Sequence, residues 1–305
     1  MRRRLLLTAT VLIALGGAAS HAWTAAADEI APTGEIVKVQ TGFSFTEGPA
    51  ADKEGNIYFT DIPKNRIMRL SRSGELSVFL EESQRCNGLM MDPRGRLVAC
   101  QGGAGRVIAI DTETKEITVL ADRYQGKRFK APNDLTIDQQ GGIYFTDPSF
   151  GAGPDAQETE AVYYVSPGGE VTRLIADLKQ PNGIHLSRDE KTLYVLPSGT
   201  TGLFAYPIEA PGKLGSPQKH EVVKHGGDGM AMDVDGNLYL TQMMLSGVLV
   251  VSPEGKQLGL IKLPEVPANC VFGGPDFQTL YVTARTSVYA VPMPRKGWHY
   301  LFSKS

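Results

Sequence analysis

The chain has 305 residues, 42% hydrophobic and 21% charged, with 31 Lys and Arg against 33 Asp and Glu. Without a basic surplus it offers phosphate backbones little attraction, which excludes nucleic acid as a partner. Only three cysteines occur, with no Cys-x-x-Cys and no Cys/His cluster, which argues against a thiolate zinc site.

The first element reads as a secretory signal. Arg2, Arg3 and Arg4 form a basic start, and Leu5 to Leu15 is an apolar run of eleven residues, too short to span a bilayer. Ser20-His21-Ala22 loosely fits a small-residue cleavage pattern, and Ala25-Ala26-Ala27 is an alternative. The expectation is a signal peptide and short leader over 1–27, cut between Ala22 and Asp28. Residues 28–305 would then form one domain, periplasmic or secreted, with no membrane attachment. Removing 1–22 leaves 28 basic against 33 acidic residues, a formal charge of −5.

Beyond the leader one pattern recurs six times: a polar residue, an apolar strand, a turn, and a second strand with an aromatic or β-branched centre. The starts are Glu47-Gly48-Pro49, Asn87-Gly88-Leu89, Asn133-Asp134-Leu135, Asn182-Gly183-Ile184, Asp228-Gly229-Met230 and Asn269-Cys270-Val271. The second-strand centres fall at 58, 98, 144, 194, 239 and 281, so the steps are 40, 46, 50, 45 and 42 residues. Such steps match four-stranded propeller blades. Turns such as Asp52-Lys53-Glu54-Gly55, Asp92-Pro93-Arg94-Gly95 and Gln139-Gln140-Gly141-Gly142 close the first hairpins.

A second hairpin follows in most repeats, for example Arg66 to Leu70 with Leu76 to Phe79. The sixth repeat stops after Ser287 to Val291, one strand short. The unassigned Glu35 to Val39 is the available supplier, and its pairing there would close a six-bladed all-β propeller and cover an exposed edge. Cys86 and Cys100 flank the turn at 92–95 almost symmetrically. That symmetry would set them opposite each other, leaving a disulfide and two free thiols both open.

In a propeller the innermost strand of each blade lines the channel, so Glu47, Asn87, Asn133, Asn182, Asp228 and Asn269 should converge at the axis. One Asn-Gly is an ordinary turn, but six polar residues in phase need another account. Two carboxylates and four amides suit a hard divalent cation: calcium first, with magnesium, manganese or zinc as alternatives.

The residues Glu47-Gly48-Pro49, Pro132-Asn133-Asp134, Tyr144-Phe145-Thr146-Asp147-Pro148, Pro181-Asn182-Gly183 and Asp228-Gly229-Met230 resemble the gluconolactonase and regucalcin-type (senescence marker protein) family. The resemblance covers essentially the whole chain after the leader. It implies a six-bladed propeller and metal-dependent hydrolysis of a small lactone. By motif it implies the metal ligands Glu47, Asn133, Asn182 and Asp228, with Asn87 and Asn269 nearer the substrate. Asp228 would be the general base. His225 would orient Asp228 or meet the substrate, and Asp134 and Asp147 would support the ligands from behind. The chain departs from the family in lacking a histidine near Gln101 and in carrying Ala131 and Lys130 where an arginine is common. Substrate identity therefore stays open. Other readings are a phosphotriesterase of the diisopropyl fluorophosphatase kind and a ligand-binding propeller without enzyme activity. No Gly-x-Ser-x-Gly elbow is present, which argues against a serine esterase.

Overall fold

The computed structural model describes residues 30–153 and 155–299; the expected signal segment, with its cleavage site, lies outside them. Six antiparallel sheets stand in a ring. Blade 1 is Thr46–Ala51, Ile57–Asp61, Arg66–Leu70 and Leu76–Leu80, counted from the axis outward. Blades 2 and 3 begin with Cys86–Met91 and Leu135–Ile137, and blades 4, 5 and 6 with Pro181–Leu186, Met230–Met232 and Asn269–Gly273. Blade 4 carries the irregular outer part: Leu203–Ala210 pairs with both Lys213–Leu214 and Gln218–His220.

The ring closes through Val37–Thr41, which pairs with Ser287–Pro292 as the outermost strand of blade 6. The strand lies two residues later than its expected position at Glu35 to Val39, so Glu35 and Ile36 precede it. Glu265 fixes this seam. It meets Lys38 at 3.0 Å, and accepts from Ser287 Oγ at 2.6 Å, Tyr289 OH at 3.0 Å and Thr286 Oγ1 at 3.0 Å.

The apolar core is divided among the blade interfaces. Tyr58 packs with Leu89, Met91 and Leu97 between blades 1 and 2, and Tyr144 with Ile184 and Leu186 between blades 3 and 4. Tyr239 packs with Cys270 and Phe272 between blades 5 and 6. In blades 1, 3 and 5 the aromatic centre of the second strand is thus the wedge driven into the next blade, and in blade 2 Val98 takes that place. At the far ends of the first hairpins, an aspartate organises the turn. Asp52, Asp92, Asp138 and Asp233 each accept backbone N–H groups two and four residues on, through Oδ1. The glycine that follows takes a left-handed φ between 79° and 90° in all four turns.

The same turn corrects the expectation for Cys86 and Cys100. Asp92 N donates to Arg96 O, so Met91 pairs with Leu97 rather than with Arg96. An irregularity between Cys86 and Leu89 then sets Cys86 opposite Gln101. The slip sends the two thiols to opposite faces of the sheet: Cys86 into the interface with blade 1, Cys100 into that with blade 3. Both are free and buried.

The channel is closed at the end where the first hairpins turn. Gly297 N donates to Phe277 O and Trp298 N to Met232 O, which lays the segment Gly297–His299 across the opening. Above it lies a cavity of about 60 Å³, lined by inner-strand residues such as Leu89, Ile184 and Met230 and reaching Asp134 and Asn269.

A candidate active site on the propeller axis

The six polar residues do converge, one from each blade. Asn87 Nδ2 donates to Asn133 Oδ1, and Asn133 Nδ2 donates to Asn182 Oδ1 at 2.5 Å. Asn182 hydrogen-bonds the Asp228 carboxylate, Asp228 shares a hydrogen bond with Glu47, and Asn269 hydrogen-bonds Glu47. All but Asn87 are buried.

Asp134 joins the group from across the axis. Its Oδ2 accepts from Asn269 Nδ2 at 3.3 Å, its Oδ1 from Leu135 N at 2.9 Å, and it acts electrostatically on Glu47 and Asp228. It is a third acid of the ring rather than a support behind it. Asp147 stands farther back. Its two oxygens accept from Lys130 N at 2.9 Å and Ala131 N at 2.8 Å, fixing the segment that delivers Asn133. Asp61 does the same for blade 1, accepting from Ser44 N and Phe45 N ahead of Glu47. His225 is exposed to solvent, three residues before the buried Asp228.

The glycines beside the ring are there for space. A Cβ on Gly48 would stand 1.9 Å from Asn87 O, one on Gly183 2.2 Å from Asp228 O, and one on Gly229 1.9 Å from Asn269 Oδ1. Of these only Gly48 has positive φ, at 44°. The motif read as a turn is therefore mostly a close approach between neighbouring inner strands. Blades 3 and 6 carry Asp134 and Cys270 at the glycine position, and it is there that Asp134 and Asn269 reach across the axis.

A row of threonines was missed in the sequence. Thr60 Oγ1 donates to Asn87 O at 3.3 Å, Thr146 Oγ1 to Asn182 O at 2.9 Å, and Thr241 Oγ1 to Ala268 O at 2.7 Å. Each ties the second strand of one blade to the ring segment of the next. The signal was available in Tyr58-Phe59-Thr60, Tyr144-Phe145-Thr146 and Tyr239-Leu240-Thr241, two residues after each aromatic wedge.

Burial pushes the carboxyl of Glu47 well above its ordinary range, and the charge of Asp228 pushes it further. Burial likewise raises Asp228 and Asp134 to about 7. Among the described residues, no Lys or Arg is one of the groups that act on these three acids. Three desolvated acids without a counter-charge are costly, and a cation would offset that cost. Among the described residues no group of three or more His, Cys, Asp or Glu side chains forms a ready-made metal cage. The donors here are acids mixed with amides, all oxygen, which fits a hard ion and not a thiolate or imidazole metal. Asn269 is committed otherwise: its Oδ1 accepts from Cys270 N at 2.8 Å, so it turns its NH₂ to the axis.

Two of the loops around this mouth are joined. The ribbon Arg123–Tyr124 with Lys127–Arg128 is held by Gln157, whose Nε2 donates to Tyr124 O and Lys127 O, and by Lys130 Nζ, which donates to Gln157 O. On blade 5 the short turn Met243–Leu245 presents Met243 and Met244 to solvent.

Fold and ring together define a six-bladed propeller with an acidic, oxygen-lined well on its axis. The chain belongs to the SMP-30/gluconolactonase/LRE-like family, whose profile matches residues 45–286. It is 31% identical over 289 residues to a gluconolactonase of Zymomonas mobilis, covering 84% of this chain and 80% of that one. The solved structure of a gluconolactonase from Xanthomonas campestris superposes with a TM-score of 0.81 at 29% identity, covering 88% of this chain and 93% of the other. A calcium-binding regucalcin from Agrobacterium tumefaciens matches with a TM-score of 0.75 at 21% identity, covering 88% and 96%, a likeness of fold.

Proposed function

We propose that this protein hydrolyses a small lactone at the axial ring, with a divalent cation, calcium first, held by Glu47, Asn133, Asn182 and Asp228. The observation that carries this reading is the ring itself: three buried acids and an amide chain, with no cationic side chain of the described residues among the groups acting on the acids. The gluconolactonase and lactonase relatives support the choice of a cyclic ester as substrate.

A bound cation would polarise the lactone carbonyl and acidify a water molecule. Asp228 takes the proton as that water attacks, the ring C–O bond breaks, and the proton passes to the departing alkoxide, leaving a hydroxy acid. Glu47 supplies negative charge. Asn269, with its NH₂ toward the axis, is a donor for substrate oxygen rather than a ligand. On its N-terminal pattern we place the enzyme outside the cytoplasm, cut between Ala22 and Asp28, which mass spectrometry of the mature protein checks.

A panel of lactones and phosphotriesters, assayed with calcium and with excess chelator, tests the reading. Lactone turnover that disappears in chelator is the expected result. Phosphotriester turnover alone would move the substrate class, full activity in chelator would remove the cation, and no turnover on any member would favour a binding protein.

A further inference from the structure

We infer that Ser198 is a positioning residue that sets the amide orientation of Asn182 and couples it to the loop delivering Asp228. The inference rests on the axial-site reading above. Asn182 Nδ2 donates to Ser198 Oγ at 2.7 Å, and Ser198 Oγ donates to Gly227 O at 2.9 Å. A hydroxyl has one proton. Since that proton goes to Gly227, Ser198 can only accept from Asn182, and the NH₂ of Asn182 must face it. The amide oxygen of Asn182 is thereby forced to the other side, toward Asn133 and the axis. An amide flip would set the carbonyl oxygen of Asn182 against the lone pairs of Ser198 Oγ, and N–H against N–H at Asn133.

The other ring asparagines have different restraints. Asn87 and Asn133 are linked by their side chains to ring members, and Asn269 is fixed by the adjacent Cys270 N–H. Asn182 likewise meets ring members, Asn133 and the Asp228 carboxylate, and adds a restraint from a hydroxyl, that of Ser198 just past the second strand Thr192–Pro197. The contact is built into the backbone as well. Ser198 N donates to Gln180 O, two residues before Asn182, and Gly227 N donates to Pro197 O. A Cβ on Gly226 would stand 1.9 Å from Ser198 O, so this loop lies directly on Ser198. One hydroxyl therefore joins a ring amide of blade 4 to the residue preceding the acid of blade 5.

The test is calcium titration by calorimetry of the native protein, Ser198→Ala and Ser198→Thr, with KM and kcat measured alongside. Ser198→Ala frees the amide and the loop, so its calcium dissociation constant should rise about tenfold, the scale of one lost buried hydrogen bond. Excess calcium should restore most of its kcat. Ser198→Thr keeps the hydroxyl and should bind calcium within about twofold of native, a rescue that loss of packing alone would not give. Thermal unfolding in chelator should show a single cooperative transition for both variants, so that the loss of affinity is read on folded protein. Should the alanine variant not fold, Ser198→Cys, which keeps the volume and weakens both hydrogen bonds, should show the same loss of affinity. Native-like affinity in Ser198→Ala or Ser198→Cys, or a threonine variant as weak as alanine, overturns the role of Ser198. A native protein that binds no calcium overturns the site reading, and the inference with it.

Discussion

The seam and the axis both bury carboxyl groups, and they treat them in opposite ways. Partial burial pushes Glu265 up, but hydrogen bonds from Ser287, Lys38, Tyr289 and Thr286 outweigh it and bring the group down to about 2. At the axis burial wins: Glu47 is driven well above its usual range, and Asp134 and Asp228 to about 7. One acid is surrounded by donors and holds two strands together. The other three are set against each other and destabilise the fold they sit in. A carboxyl whose environment is complete is structural, and carboxyls left in want of positive charge mark where the protein expects a guest.

The contrast can be broken most forcefully at Asp228. Asp228→Asn should lower lactone turnover about 100-fold or more, because an amide cannot take the proton from water, and saturating calcium should not restore it. Glu47→Gln removes charge alone, so added calcium should recover much of its activity. Full rescue of Asp228→Asn would strip that residue of the base role while leaving the cation in place.

Stability against pH should show the two regions as two separate limbs. At the axis the folded-state acids are raised, so folding is favoured below the unfolded pKa near 4 and loses ground as pH climbs through about 7. In chelator this neutral limb should be readable as a fall in stability, and Asp228→Asn should shrink it while Asp134 and Glu47 keep part of it. At the seam the folded-state acid is lowered from 4.5 to about 2, so its contribution is present above 4.5 and fades as pH falls toward 2. Urea unfolding from pH 3 to 8 reads both limbs. Calcium should abolish the neutral one and leave the acid one unchanged.

Glu265→Gln should cost about 1–2 kcal/mol at pH 7 in the same assay, with calcium affinity unaltered, since the seam does not touch the ring. The smallest effect should come from reductant. With Cys86 and Cys100 on opposite faces of blade 2, the melting temperature should be the same with and without it, and a thiol reagent should react only on unfolding.

The architecture was legible because a repeat of 40 to 50 residues states its own period. The axial ring was legible for the same reason, as residues in phase must meet where blades meet. What escaped reading depends on register rather than period. The closing strand sits two residues late, and the turn at Asp92 pairs Met91 with Leu97, which moves Cys86 away from Cys100. The reason for Gly183 and Gly229 was not legible, because sequence shows what glycine permits locally, not which chain passes close to its missing side chain. Asp147 was expected to support a ligand from behind, and it does so through the backbone, holding Lys130 and Ala131 ahead of Asn133. His225 lay near Asp228 in sequence, and the loop turns it to solvent.

The closing strand also imposes an order in time. Thr41 and Ser287 bond side chain to side chain across 246 positions, so one partner of the seam leaves the ribosome long before the other. Until Ser287–Pro292 exists, Val37–Thr41 has no edge to join, and Glu47 and Asn269 cannot become neighbours around the axis. Five blades can collapse as they are made, but a working site waits for the sixth to be completed. A nascent or truncated chain would therefore be inert as a catalyst, and would carry an unpaired early strand free to pair elsewhere.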